Sequence, residues 1–96
     1  MSTLAQTRHL ATAIPGPRSQ ELIDRKSAAV SRGVSNTMPV YAARAFGGIV
    51  EDVDGNRLID LGSGIAVTTI GNASPRVVAA VGKQAANFTH TCFMVT

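Results

Sequence analysis

A short turn sequence near the middle of the chain constrains the fold most. Asp54-Gly55-Asn56 separates two strand-like stretches at residues 49–53 and 57–61. Asp-Gly and Gly-Asn supply the positive φ angles that a tight turn between antiparallel strands requires. Alternation along a strand places Glu51 and Asp52 on opposite faces, which argues against their acting as an acid/base pair. We therefore predict a β-hairpin here.

A glycine-rich connection and a helix follow the hairpin. Gly62-Ser63-Gly64 predicts a flexible corner, and the apolar run at residues 65–67 fits either a strand or a buried loop. Ser74-Pro75 predicts a helix start, with Ser74 as a side-chain N-cap and Pro75 at the first helical position. Five apolar residues of this helix share an arc of about 100°: Val77, Val78, Val81, Ala85 and Phe88. We expect the helix to pack by this face and to close on His90.

The part of the chain before the hairpin divides into an arm, a helix and an extended segment. Pro15-Gly16-Pro17 ends a polar arm, residues 1–18, which we expect to be mobile or draped over the surface. Ser19 is the predicted N-cap of a helix over about residues 20–32, with Gly33 as its C′ residue. We expect this helix to be a partly exposed docking element. The proline in Met38-Pro39-Val40 favours extended backbone from there to the hairpin.

Composition indicates a chain that is thin for an independent domain. Of its 96 residues 45% are hydrophobic, but only four are aromatic, so few large side chains can anchor a core. The net charge of +3 comes mainly from seven arginines spread from Arg8 to Arg76. This spread argues against a nucleic-acid partner. No apolar run reaches membrane-spanning length. The single Cys92 and the absence of a secretory pattern at the N-terminus favour the cytoplasm.

The residues capable of chemistry do not form a self-evident catalytic site. Gly62-Ser63-Gly64 could cradle a phosphate, but we favour a simple turn because an apolar run, not a helix, follows it. Residues 71–74 feed a helix N-terminus and have better anion geometry, although capping alone explains Ser74. His9, His90 and Cys92 do not form a convincing metal-ligand set. We expect Cys92 to be a buried or half-buried packing residue.

An ordered set of motifs resembles the N-terminal part of class III pyridoxal-phosphate-dependent aminotransferases. The set comprises Val53-Asp54-Gly55-Asn56-Arg57-Leu58-Ile59-Asp60-Leu61, Gly64-Ile65-Ala66-Val67, Gly71, and Pro75-Arg76-Val77-Val78-Ala79-Ala80-Val81. Arg32-Gly33-Val34 and His90-Thr91-Cys92-Phe93 resemble most the branch of that class that uses 4-aminobutyrate. The resemblance runs from about residue 20 to residue 96, which is less than a quarter of such an enzyme. Where the family often has Gly-His-x-His-Pro, this chain has Gly71-Asn72-Ala73-Ser74-Pro75.

The resemblance implies an incomplete α/β piece of a fold type I transferase. Residues 1–18 would form a flexible arm, residues 19–70 the helix and hairpin of the small subdomain, and residues 71–96 the start of the large cofactor domain. Ile65 would line the substrate side of pyridoxal phosphate, and Gly64 would let the backbone approach closely. The complete enzyme would be a cytoplasmic homodimer acting on 4-aminobutyrate and 2-oxoglutarate.

No residue of the chain is predicted to be catalytic, to bind the cofactor or to bind a metal. Neither Lys26 nor Lys83 sits in the family's Schiff-base context, so the isolated chain is expected to be inactive. Two alternatives stay open. The chain could belong to another class III aminotransferase, acting on acetylornithine, ornithine or another ω-amino acid. It could also be a non-enzymatic truncated module that pairs with a full-length subunit.

Overall fold

The computed structural model describes residues 3–95, which contain a small antiparallel sheet with helices before and after it in the chain. The elements in chain order are α1 (Pro17–Ala29), β1 (Ala42–Phe46), β2 (Ile49–Asp52), β3 (Arg57–Ile59), α2 (Ser63–Ala66) and α3 (Pro75–Asn87). The sheet has the order β1-β2-β3, with both neighbouring pairs antiparallel. Within the described residues, no helix combines the length and apolar character needed to cross a membrane.

The predicted β-hairpin is confirmed, with strands that end one or two residues earlier than expected. Cα partners run from Ile49 opposite Ile59 to Glu51 opposite Arg57. In the turn, Gly55 has φ +85°, a value that glycine tolerates because it has no Cβ. The extended segment predicted before the hairpin contains β1, which pairs with β2. Glu51 and Asp52 face different surroundings, as the alternation predicted: Glu51 binds the Arg44 guanidinium at 2.8 Å, while Asp52 is buried.

The hairpin turn is closed by two buried polar side chains. Asp52 Oδ1 accepts the backbone N–H groups of Asp54 and Asn56, and Asp52 Oδ2 accepts the Asn56 amide at 2.9 Å. The same Asn56 side chain reaches the arm: its Oδ1 accepts the Thr12 N–H, and its Nδ2 donates to the Thr12 hydroxyl, both at 2.9 Å. The turn therefore anchors a segment that lies more than forty residues earlier.

The arm is draped over the hairpin, one of the two arrangements that the sequence left open. His9 and Arg57 exchange backbone hydrogen bonds at 3.0 and 2.7 Å. Nearer the N-terminus of the arm, the Gln6 side chain bonds to the turn between β1 and β2. It donates to Phe46 O at 3.0 Å and accepts the Gly48 N–H at 3.0 Å. The division of the chain into three domains stays a prediction.

The prediction for α1 was wrong at both ends. The helix begins at Pro17 and ends at Ala29, so Ser19 lies inside the first turn and Gly33 lies beyond the end. Gly16 occupies the N-cap position without a side-chain cap. The Asp54 carboxylate in the hairpin turn caps the helix instead. It accepts the Arg18 N–H at 2.7 Å and the Ser19 N–H at 2.9 Å. A carboxylate is favourable at this positive end of the helix dipole.

The hydrogen bonds to Asp54 also affect its acidity. Removal from solvent raises the pKa of the Asp54 carboxyl, but hydrogen bonding from Ser19 and Arg18 and the positive charge of Arg18 lower it more, so the net shift is downward. The carboxylate is therefore held in the charged form that caps the helix.

Helix α3 begins at Pro75 as predicted but differs from the prediction in three respects. Ser74 makes no side-chain capping hydrogen bond, and the helix ends at Asn87, short of His90. None of its residues is buried, so the prediction that it packs by one face is wrong within the described chain. Its apolar residues Val77, Val78 and Val81 are 48%, 46% and 60% exposed. The apolar side chains share one face, as the periodicity predicted, but residues 3–95 supply nothing to cover it.

Candidate functional site

The candidate site is the loop between β3 and α3, which is held at its far end against the β1–β2 turn. Gly47 and Asn72 exchange backbone hydrogen bonds, at 2.9 and 2.8 Å. Gly71 has φ +86°, and a Cβ built on it would lie 3.0 Å from the Gly47 Cα. The two backbones meet this closely because residue 71 has no side chain. The sequence motif contained Gly71, but nothing local to it indicated Gly47 as its neighbour.

The Asp60 carboxylate joins the two ends of this loop. Its Oδ1 accepts the Ser63 N–H at 2.7 Å, and its Oδ2 accepts the Asn72 side-chain amide at 3.1 Å. The Asp60 N–H donates to Gly48 O at 2.9 Å. Asp60 is thus bonded to the sheet through its backbone and to the loop through its side chain. In the sequence Asp60 is only one residue of the Val53–Leu61 motif, and nothing in the pattern indicated this role.

Between these anchors the chain makes a left-handed turn, which is the short element α2 and is not a regular right-handed helix. Ser63, Gly64, Ile65 and Ala66 have φ values of 49°, 61°, 62° and 62°. The turn is closed by the Ile65 N–H on Gly62 O at 2.8 Å and by a 2.5 Å contact between the Ser63 and Thr68 hydroxyls. A positive φ at a non-glycine residue costs on the order of 1–3 kcal/mol and persists only where the surroundings impose it. The β-branched Ile65 is the most unfavourable of the four.

This turn corrects the prediction for residues 65–67, which form neither a strand nor a buried loop. Ile65 is 93% exposed and Val67 is 72% exposed. Gly64 and Ile65, the predicted substrate-side residues, lie together on the outer side of an anchored turn. The loop therefore presents an apolar side chain to whatever lies outside it.

The hydrogen-bond partners in this loop favour a turn over an anion site. The Ser63 N–H is occupied by the Asp60 carboxylate, so it is not available to a phosphate. The Gly71 N–H donates to Thr68 O, and the Asn72 N–H donates to Gly47 O. These bonds support the interpretation of Gly62-Ser63-Gly64 as a turn, and they occupy two of the N–H groups considered for an anion at residues 71–74.

The other residues that could take part in chemistry do not lie together. Within residues 3–95, no group of three or more His, Cys, Asp and Glu side chains could hold a metal ion. Cys92 is exposed, so the prediction that it packs in the interior was wrong. Lys26 lies on α1 and donates to Asn36 Oδ1 at 2.6 Å, and Lys83 lies on the exposed α3. Neither lysine is placed at the loop that carries Ile65.

A large part of the apolar surface is uncovered. In the described chain only Leu4 and Ile49 are buried hydrophobic residues. By contrast, large apolar side chains between residues 59 and 95 are mostly exposed, among them Leu61 at 91%, Ile65 at 93% and Phe93 at 89%. An uncovered apolar surface on this scale is characteristic of a surface that packs against further protein.

Comparison with known proteins identifies the family. Residues 29–96 match the family model for class-III aminotransferases. The chain belongs to the class-III aminotransferase family, and the resemblance inferred from the hairpin and loop motifs is confirmed. Members of this family depend on pyridoxal phosphate.

Within the family, the relatives that align with the whole chain include mycobacterial proteins. It is 73% identical over all 96 residues to a 4-aminobutyrate aminotransferase of Mycobacterium tuberculosis, of which it covers 21%. It is 67% identical over 96 residues to a 4-aminobutyrate aminotransferase of Mycobacterium leprae, covering 22% of that protein. A 5-aminovalerate aminotransferase of Pseudomonas aeruginosa is 46% identical over 77 residues, which is 80% of this chain and 18% of the relative. The chain spans about a fifth of the length of these relatives.

Proposed function

We propose that this chain is the N-terminal part of an enzyme that transfers the amino group of 4-aminobutyrate to 2-oxoglutarate, giving succinate semialdehyde and glutamate. The observation that carries the proposal is the 73% identity over the whole chain to a 4-aminobutyrate aminotransferase. The relative named for 5-aminovalerate is only 46% identical over a shorter stretch. In such an enzyme this chain forms the first part of a fold type I transferase, with its helix and hairpin in the small subdomain.

The role proposed for this chain is to shape the substrate pocket. Ile65 presents a nearly fully exposed apolar side chain on a turn that is anchored at both ends. Placed on the substrate side of the cofactor, it would contact the carbon chain of the amino donor and exclude water from it. Gly64, with φ +61°, would leave the backbone open to close approach. These two residues are the proposed substrate-binding residues.

The residues of this chain do not fit a role in holding pyridoxal phosphate. When bound, that cofactor supplies an electron sink for the substrate carbanion and needs a lysine for attachment. Lys26 is held by Asn36 on α1, and Lys83 lies on the exposed α3, both away from the loop with Ile65. We assign no catalytic, cofactor-binding or metal-binding residue to this chain, and we expect the isolated 96 residues to be inactive.

A chimeric enzyme provides the test of this function. We define it as these 96 residues joined to the remaining residues of the Mycobacterium tuberculosis relative, which aligns with the whole chain. The chimeric enzyme should transfer the amino group of 4-aminobutyrate to 2-oxoglutarate. Transfer from 5-aminovalerate or ornithine with a higher kcat/KM would refute the proposed amino donor and favour another member of the class.

The substrate contact of Ile65 is tested in the same chimeric enzyme. Ile65→Asn should raise KM for 4-aminobutyrate about tenfold or more, because burying an apolar side chain of this size contributes about 1.5–3 kcal/mol. Ile65→Leu should stay within about threefold of the parent. Ile70→Asn is the matched control, since Ile70 is 67% exposed on the same loop. An equal rise in KM from Ile65→Asn and Ile70→Asn would show that Ile65 makes no specific contact with the substrate.

We also propose a homodimeric, cytoplasmic enzyme. The uncovered apolar residues of α3 and of the segment after it support a requirement for further protein surface. The single cysteine supports a reducing compartment. The composition offers no basic stripe for nucleic acid, and a membrane partner is not part of the proposal.

A non-enzymatic pairing module is the second candidate, and the same uncovered apolar surface favours it. A module of this kind would bind a full-length aminotransferase subunit without catalysing transfer. Sedimentation of the 96-residue chain alone and mixed with the Mycobacterium tuberculosis relative separates the two cases. Stable association of a folded 96-residue chain would favour the module, whereas an aggregated chain that the relative does not bind would favour a piece of an enzyme.

A further inference from the structure

We propose that Asp60 is a positioning residue for the substrate, acting together with Asn72 as a clamp that fixes the turn carrying Ile65. This inference deepens the proposed function and rests on it, because the turn matters to substrate use only if Ile65 faces the amino donor. Neither Asp60 nor Asn72 is proposed to touch the substrate.

The first step is the way that one carboxylate holds both ends of the loop. Asp60 Oδ1 accepts the N–H of Ser63, which begins the left-handed turn, at 2.7 Å. Asp60 Oδ2 accepts the Asn72 amide, which ends the loop, at 3.1 Å. Hydrogen bonds to a charged acceptor are stronger than those between neutral groups. The carboxylate therefore supplies the closure that lets four successive residues keep positive φ angles.

The second step is the rigid support behind the carboxylate. The Asp60 N–H donates to Gly48 O, and the Gly48 N–H in turn donates to Gln6 Oε1 at 3.0 Å. Asn72 is bonded to Gly47 through its backbone in both directions. Both members of the clamp are thus fixed to the same β1–β2 turn. A site residue held by such supporting contacts stays in its productive position better than one on a free loop.

The third step concerns the identity of residue 72. The Asn72 side chain is an amide, and it acts here as a donor to Asp60. An aspartate at position 72 would place a carboxylate oxygen about as close to Asp60 Oδ2 as the Asn72 amide nitrogen is now. The two negative charges would then repel each other. Loss of the clamp releases the turn, and Ile65 then no longer has one fixed place.

The test is an exchange of the two side chains in the chimeric enzyme. Asn72→Asp should raise KM for 4-aminobutyrate about tenfold while changing kcat less, because Ile65 acts on binding of the substrate chain. Asp60→Asn combined with Asn72→Asp should bring KM back to within about threefold of the parent. In that double variant the amide introduced at position 60 donates to the carboxylate introduced at position 72.

The matched control is Asn56→Asp. It also places a second carboxylate beside an existing one, since the Asn56 amide is bonded to Asp52 Oδ2 at 2.9 Å, but it does so at the opposite end of the hairpin. Asn56→Asp should lower the yield of folded enzyme and leave KM for 4-aminobutyrate unchanged. A purely structural role for Asp60 and Asn72 would produce the same result at position 72.

The outcomes are distinct. A higher KM in Asn72→Asp that the double variant reverses supports the clamp. An unchanged KM, or an equal rise in Asn56→Asp, overturns it while the proposed function stands. A parent chimeric enzyme that does not use 4-aminobutyrate overturns the proposed function and this assignment with it. If Asn72→Asp does not fold, Asn72→Ala removes the donor without repulsion; a rise in KM of about threefold supports the clamp, and no rise overturns it.

Discussion

Replacing Asn56 by alanine should release the arm from the hairpin. The Asn56 side chain is fully buried and makes three hydrogen bonds, two to Thr12 and one to the Asp52 carboxylate. The other side chain of this turn that bonds to the arm is Asp54, whose partner there is the Arg18 N–H at the far end of the arm. The substitution removes all three bonds and leaves the buried Asp52 oxygen without the amide that it now accepts.

The expected loss is large for one side chain. A hydrogen bond between neutral groups contributes about 1 kcal/mol and one to a charged group about 2 kcal/mol, so the three together contribute about 4 kcal/mol. A chain of this length has a free energy of unfolding of only about 5–14 kcal/mol if it is typical. The loss is concentrated at the arm and turn, because every partner of the Asn56 side chain lies there.

Amide hydrogen exchange in the chimeric enzyme measures this local loss. The informative amides are those of His9 and Arg57, which bond across the arm and β3. Asn56→Ala should accelerate their exchange on the order of a hundredfold or more, since each 1.4 kcal/mol corresponds to a factor of ten. Asn36→Ala is the control: its side chain also makes hydrogen bonds, to Lys26 and Met38, but it is exposed.

Unchanged exchange at His9 and Arg57 in Asn56→Ala would refute the reasoning. It would mean that the backbone hydrogen bonds hold the arm without help from the turn. Equal acceleration in Asn36→Ala would also contradict it, because an exposed side chain would then be as important as a buried one.

Three further predictions concern two glycines and the cap of α1. Gly71→Ala should destabilise the loop by about 1–3 kcal/mol, measured by thermal unfolding of the chimeric enzyme, because residue 71 has φ +86° and its Cβ would press on Gly47. Gly82→Ala, with nothing within 4 Å of the added Cβ and a position inside α3, should instead stabilise by about 0.5–1 kcal/mol. The α1 cap should weaken in acid, because the pKa of Asp54 is lower in the folded chain than in the unfolded chain. The stabilisation that the Asp54 carboxylate gives to folding is complete above the carboxyl's ordinary pKa near 3.8, and it is lost as pH falls through the lower pKa of the folded chain. Faster exchange of the Ser19 amide at pH 3 than at pH 6, relative to an unstructured reference peptide, would follow, and no difference would contradict it.

Local chemistry was sufficient for the hairpin and the start of α3, and the resemblance of the ordered motifs to a known class was sufficient for the family. A turn with Asp, Gly and Asn between two strand-like stretches has few alternatives, because positive φ is needed where Gly55 stands. Proline at the first helical position similarly determined where α3 begins. The ordered motifs were enough to identify the class, because they depend on residue types and spacing, and the family match over residues 29–96 agrees.

The tertiary structure decided the features that depend on residues far apart in sequence. Asp54 was recognisable as a turn residue, but its capping of α1 joins positions 35 and 36 residues apart. The same holds for the Asn56 bond to the arm. The meeting of Gly71 with Gly47 brings together two glycines that no local pattern connects. The capping pattern made Ser19 the N-cap of α1, whereas the helix begins at Pro17 and the distant Asp54 carboxylate accepts the N–H groups of its first turn.

Ile65 and α3 separate most clearly what the sequence determined from what the tertiary structure decided. The sequence by itself determined that both are apolar, and burial is the usual consequence of that. Ile65 is nevertheless exposed on a left-handed turn, and α3 has no buried residue. Burial requires a partner surface as well as an apolar side chain, and residues 3–95 do not supply that surface. The tertiary structure therefore decided where the apolar residues point, since the carboxylate of Asp60 and the amide of Asn72 hold the loop on which Ile65 stands.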